Sequence, residues 1–121
     1  MAKRMSDGGA DAALTYWTDA DVYALCSAEP TSYTEGNSTY KLGGTTPTFD
    51  AIANGDVSGR KRGVQAKSGI SIATSGTVTH AFLGKSGDST LRYVTTTASQ
   101  AVAASGTADA GAWAVEVRDP T

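Results

Sequence analysis

The chain has 121 residues, enough to bury one core without disulfide or metal staples and too few to suggest a second ordinary domain. Hydrophobic residues make up 40% and charged residues 18%, with Gly, Ser, Thr and Ala abundant, which argues against long disorder and for a turn-rich β protein over a helix bundle. The net charge of -2 argues against nucleic acid as a partner, because phosphate binding asks for a basic surface.

Residues 1–9 read as a flexible arm. They carry basic residues but no apolar stretch of the kind a secretory signal needs, and no run approaches the length of a membrane span. In "ADAALTYW", Ala10, Ala13, Leu14 and Trp17 fall at helical spacing and predict a short helix with one apolar stripe. "DVYALCSAEP" switches to strand alternation: Val22, Ala24 and Cys26 face one side, Tyr23 and Leu25 the other, and Pro30 ends the strand. Ser32 and Glu35 have capping-box spacing, so one helical turn is expected before Gly36 breaks it. "STYKL" reads as a short strand or an extended link, "GGTTPT" as a loop, "FDAIA" as a short strand and "NGD" at 54–56 as a turn.

From Arg60 onward the text alternates strand and turn. "GRKRGVQAK" and "GISIA" are weak strands; "TVTHAFLGK" and "STLRYVTTT" form a hairpin across "SGD". "SQAVAA" and "AGAWAVEVR" follow, separated by "SGTAD", with Trp113 anchoring the last strand. Simple alternation puts Val78, His80 and Phe82 on one face and Thr77, Thr79, Ala81 and Leu83 on the other. The predicted architecture is mainly β: a single-domain antiparallel β-sandwich, Ig-like or jelly-roll-like, over residues 22–121, preceded by an N-terminal arm and short helix over 1–21.

Candidate chemistry is sparse. His80, the one histidine, needs a nucleophile or an orienting carboxylate to act as a base, and no Gly-x-Ser-x-Gly elbow is present. Cys26 is distant in sequence, so no pattern ties the two together. As the one cysteine it excludes an internal disulfide, and its apolar run suits a buried thiol, with an intermolecular bridge as the alternative. A zinc site wants about four Cys or His ligands. Asp19 with Asp21, and Asn54 with Asp56, offer oxygen ligands for calcium but complete no EF-hand pattern. No catalytic residue, metal or cofactor is therefore assigned.

Arg60, Lys61 and Arg62 form the basic cluster and read either as a partner contact or as a sheet edge guarded by charge. Charge is uneven along the chain, net -4 over residues 1–50 and +2 over 51–121, which suits head-to-tail subunit contact or plain surface scatter. The expected interface residues are Tyr16, Trp17, Arg60, Lys61 and Arg62.

The order "YALCSAEPTSYTEGNSTYKLG", "NGDVSGRK", "GISIATSGTVTHAFL", "LRYVTTTASQAV" and "WAVEVRDPT" resembles a family of small structural proteins encoded among the virion genes of tailed bacteriophages, often those infecting alphaproteobacteria. The resemblance covers residues 22–121 and rests on turn and strand signatures. It implies a virion β domain and does not fix its place in the particle; the reading drawn from it is a non-enzymatic protein, made in the bacterial cytoplasm, that decorates and stabilises a repeating capsid or neck lattice. A tail, collar or fibre-associated ring component is the alternative; a carbohydrate- or receptor-binding module is the more distant one. The implied partners are other virion proteins and copies of the chain itself, with no nucleic acid and no membrane.

Overall fold

The computed structural model describes residues 6–56 and 59–117. Helix α1 (Asp7–Trp17) starts where Ser6, in extended backbone, accepts the Gly9 N–H on its side-chain oxygen. Of the arm expected over residues 1–9, residues 7–9 are instead the first helical turn, and residues 1–5 lie outside the described residues. Ala10, Leu14 and Trp17 are buried as their spacing predicts, whereas Ala13 is exposed. The Thr18 hydroxyl closes the helix by donating to the Leu14 carbonyl at 2.6 Å.

Among the described residues nine strands follow: β1 (Val22–Cys26), β2 (Lys41–Thr45), β3 (Ala53–Asn54), β4 (Arg60–Val64), β5 (Lys67–Ser71), β6 (Gly76–Lys85), β7 (Thr90–Val102), β8 (Thr107–Ala110) and β9 (Trp113–Val117). They form a four-stranded sheet in the order β2-β1-β6-β7, a three-stranded sheet β3-β4-β9 and a pair β5-β8. Every pairing is antiparallel. The result is the mainly β, sandwich-like single domain expected from the turn spacing.

Residues directly opposite across paired strands share a face. Tyr23, Leu83 and Tyr93 line up across β1, β6 and β7, as do Leu25, Ala81 and Thr95; this inner face joins the main core with Leu14, Trp17, Val64 and Ile70. Ala24, Phe82 and Val94 line up on the outer face, where Tyr33 and Tyr40 cover them. The β1 alternation read from the sequence is observed.

The β6 alternation is not. His80 pairs with Thr96 and Val78 with Gln100, so one β6 residue, Thr79, stands opposite three of β7. This irregularity breaks the period of two. Val78 joins the main core with Ala81 and Leu83, while Phe82 belongs to the outer cluster. "SQAVAA" is also no separate strand: it continues the preceding run as the 13-residue β7. Gly43 and Gly44, expected in a loop, are in β2, and Phe49 makes only an isolated bridge to Val64.

The helical turn expected to stop at Gly36 instead runs into a π-helical turn over Glu35–Thr39. Ser32 Oγ accepts the Glu35 N–H, and the Glu35 carboxylate reaches back to the N–H and hydroxyl of Thr31. Gly36 is there for close approach. A Cβ on it would collide with the Phe82 ring, which Tyr33 meets edge-on at 6.0 Å.

Trp17 sits at the centre of the inner core, edge-on to Phe49 at 5.8 Å and against Tyr93 at 5.1 Å. Its indole N–H is buried without a hydrogen-bond partner among the described residues. Burying a tryptophan gains roughly 4–6 kcal/mol by area, which outweighs the roughly 1–3 kcal/mol that an unpaired donor costs. Packing therefore decides its position.

Two glycine-to-alanine changes test this account. Gly36→Ala is expected to lower unfolding free energy by about 1–3 kcal/mol through overpacking on Phe82. Gly8→Ala, in the first turn of α1 with nothing near its Cβ position, is expected to raise it by about 0.5 kcal/mol. Urea denaturation of both variants reads the two signs; equal effects would refute the packing role of Gly36.

Candidate functional site

The basic cluster is not a charged edge. Strand β4, which carries Arg60, Lys61 and Arg62, lies between β3 and β9, with both margins paired. Its cations are occupied within the fold. Arg60 bonds Asp11 of α1 at 2.8 Å and Asn54 at 2.7 Å, and Lys61 pairs with Asp56. Arg62 Nε donates to the Asp50 carbonyl and Nη1 to the Thr18 hydroxyl, with the guanidinium 5.6 Å from the Phe49 ring centre. These side chains lock α1 and the loop before β4 onto the sheet.

Of the two aromatic residues expected at an interface, Trp17 is only 6% exposed and belongs to the core. Its position on the buried stripe of α1 explains the correction. Tyr16, one residue on, is 57% exposed. The Arg92 guanidinium lies over its ring at 4.1 Å and donates to its carbonyl. Arg92 is further held by Asp88, and Asp19 stands 3.8 Å away, so Tyr16 is an ordered surface platform.

The fold brings together two residues that sequence spacing left apart. Cys26 and His80 are direct cross-strand partners in β1 and β6. They are not arranged as a nucleophile and base. Cys26 is fully buried, its Sγ contacts the Gly36 carbonyl at 3.4 Å, and burial pushes the thiol up to about 11. A reactive cysteine needs the opposite shift. His80 Nδ1 shares its hydrogen bond with the Thr79 hydroxyl at 2.9 Å.

The oxygen groups considered for calcium have protein partners. Asp21 accepts both the N–H and the hydroxyl of Ser86, which fastens β1 to the β6–β7 turn and holds its carboxyl below the usual range. Among the described residues no three of His, Cys, Asp and Glu gather where they could hold a metal ion, and no helix is long and apolar enough to cross a membrane.

Two features remain open to a partner. The first is the outer margin of β7, the last strand of its sheet. Its stretch Tyr93–Val102 has no charged residue, and Ala98, Ser99, Gln100 and Ala101 are exposed. The second is a cleft of about 320 Å³ between β7 and the β8–β9 turn. Tyr23, Leu25 and Val78 form its floor, Thr95–Thr97 and Gln100 one wall, and Asp109–Trp113 the other. The Trp113 indole N–H donates to the Tyr23 hydroxyl at 3.1 Å, so the ring is fixed. A neighbouring cleft of about 460 Å³ shares Ala112 and Trp113 and reaches Asp50 and Lys61. The threonine run signalled only a strand in the sequence; the irregular pairing that makes it a cleft wall has no local signature.

Comparison with protein-family models, with curated proteins and with solved structures gave no match.

Arg62→Lys is expected to destabilise the fold by about 1–2 kcal/mol, because an ammonium cannot make both hydrogen bonds while lying on Phe49. Thermal unfolding checks it, and an unchanged midpoint would return Arg62 to the surface. Native Cys26 is expected to react with iodoacetamide at pH 8 at least about 100-fold more slowly than in urea-unfolded chain. Equal rates would contradict its burial.

Proposed function

We propose that this chain is a non-enzymatic structural subunit of a tailed-phage virion, one that decorates and stabilises a repeating capsid or neck lattice. The virion setting comes from the sequence resemblance. The observation that supports a contact role is the uncharged outer margin of β7. Monomeric β proteins commonly guard such margins with charge, proline or shortness. Here the strand runs 13 residues, and Arg92 is its one charged residue. The pairing irregularity twists it but leaves Ala98–Ala101 exposed.

Strand addition at such a margin offers backbone hydrogen bonds without charge repulsion. One contact of this kind is weak. Repeated over a lattice it becomes firm through effective concentration. Tyr16, held under Arg92 near the start of β7, adds a rigid aromatic contact.

Mass spectrometry of purified virions tests the assignment through the ratio of this chain to the major capsid protein. A ratio comparable with one is the expected result for decoration. A ratio far below one makes it a neck, collar or tail ring component, and absence from the particle rejects the virion reading. Ser99→Lys, at an exposed β7 position, is expected to change stability by less than about 0.5 kcal/mol while abolishing incorporation. Normal incorporation of that variant would rule out the β7 margin as the contact.

A further inference from the structure

Two aromatic rings pack against one side of Trp113, which also lines the cleft. Trp17 stacks on the indole at 6.1 Å and Tyr93 at 5.7 Å. Those two rings are themselves only 5.1 Å apart. Rings stacked on opposite faces of an indole would stand roughly 7 Å apart or more, so Trp17 and Tyr93 share one side. Trp113 lines the cleft between β7 and the β8–β9 turn, whereas the second cleft, with Lys61, Gly63 and Ala114, lies on the other face of the β3-β4-β9 sheet. The indole therefore contributes to the first cleft alone.

The chemistry of that cleft is uniform. Around the cleft stand Thr95, Thr97, Gln100 and Asp109, whose side chains offer hydroxyl, amide and carboxylate groups. The Gln100 amide makes no side-chain hydrogen bond among the described residues. Asp109 Oδ1 accepts the Gly69 N–H at 3.0 Å, which orients the carboxylate and leaves its second oxygen for a ligand. A phosphate-bearing ligand would meet the Asp109 carboxylate here, with no cation among the cleft's lining residues. A purely apolar ligand would strand the amide and the carboxylate without partners. A neutral polyhydroxylated ring satisfies both demands: its C–H face packs on the indole and its hydroxyls pair with the amide, carboxylate and threonines.

We propose that the cleft beside Trp113 binds a neutral oligosaccharide, with the indole as the stacking wall and Thr97, Gln100 and Asp109 as hydroxyl partners. This stands apart from the virion assignment: a subunit on a particle surface can carry such a groove, and so can a free binding module.

The test titrates the full chain with neutral oligosaccharides of glucose, galactose, mannose and N-acetylglucosamine, from disaccharides upward. Tryptophan fluorescence and isothermal titration calorimetry are the readouts. At least one series is expected to bind with Kd of about 0.1–10 mM, more tightly as the chain lengthens. The double variant Gln100→Ala, Asp109→Asn is expected to weaken that binding at least about tenfold at an unchanged melting temperature. Asparagine keeps an oxygen for the Gly69 N–H, and Trp113, which is part of the core, stays untouched. No binding up to about 10 mM, or binding that the double variant leaves intact, overturns the proposal. So does competition for the groove by an uncharged extended peptide where no sugar binds, which would assign it to a protein partner. None of these results alters the virion ratio, so failure here is distinct from failure of the assembly reading.

Discussion

The structure depends on one constraint: the centre of the four-stranded sheet is apolar on both faces. In β1, Tyr23 to Cys26 are all buried, and in β6 so are Ala81 to Gly84. A strand of that kind must be covered twice. Helix α1 and the β3-β4-β9 sheet cover the inner face, with Trp17, Tyr93 and Trp113 as filler. The outer face has no second sheet. The stretch from Ser27 to Tyr40 folds over it instead, and its π-helical turn brings Gly36 down onto Phe82. Gly84 makes room on the far side of the same ring. The inertness of Cys26 follows, since its thiol lies under that cover.

What was legible in the sequence was whatever depends on neighbouring residues. The alternation in "VYALC", the "SGD" hairpin and the anchoring role of Trp113 are local patterns, and all are present. What was not legible depends on register between distant strands. Nothing near Val78 says that three β7 residues will stand opposite Thr79, yet that mismatch sends Val78 inward. The same holds for Arg60, Lys61 and Arg62. Three successive cations suggest an edge until β9, made from the far end of the chain, pairs alongside them. Cys26 and His80 likewise meet only because β1 and β6 pair. The site was less legible than the fold, because Gln100 and Asp109 flank a cleft whose walls come from separate elements.

The two open features of the surface share an origin. The mismatch between β6 and β7 leaves the far half of β7 with exposed small residues along its margin. Ala98 and Gln100 of that stretch also line the cleft. A partner strand at the margin and a ligand in the cleft would therefore share residues of β7. The Trp113–Tyr23 hydrogen bond ties the Trp113 wall of the cleft to β1, so this part of the surface is backed by a deeply buried strand.

Strand β4 carries a consequence for synthesis. A ribosome releases β4 well before β9, so a growing chain passes through a period in which one margin of β4 has no neighbour. In that period Arg60, Lys61 and Arg62 stand on an open edge, where repulsion between nascent chains on the same message discourages intermolecular pairing. The Trp113–Tyr23 bond spans 90 residues, so the inner core cannot close until β9 has emerged. Cations that serve as internal clamps in the finished protein thus act as sentries while it is being made.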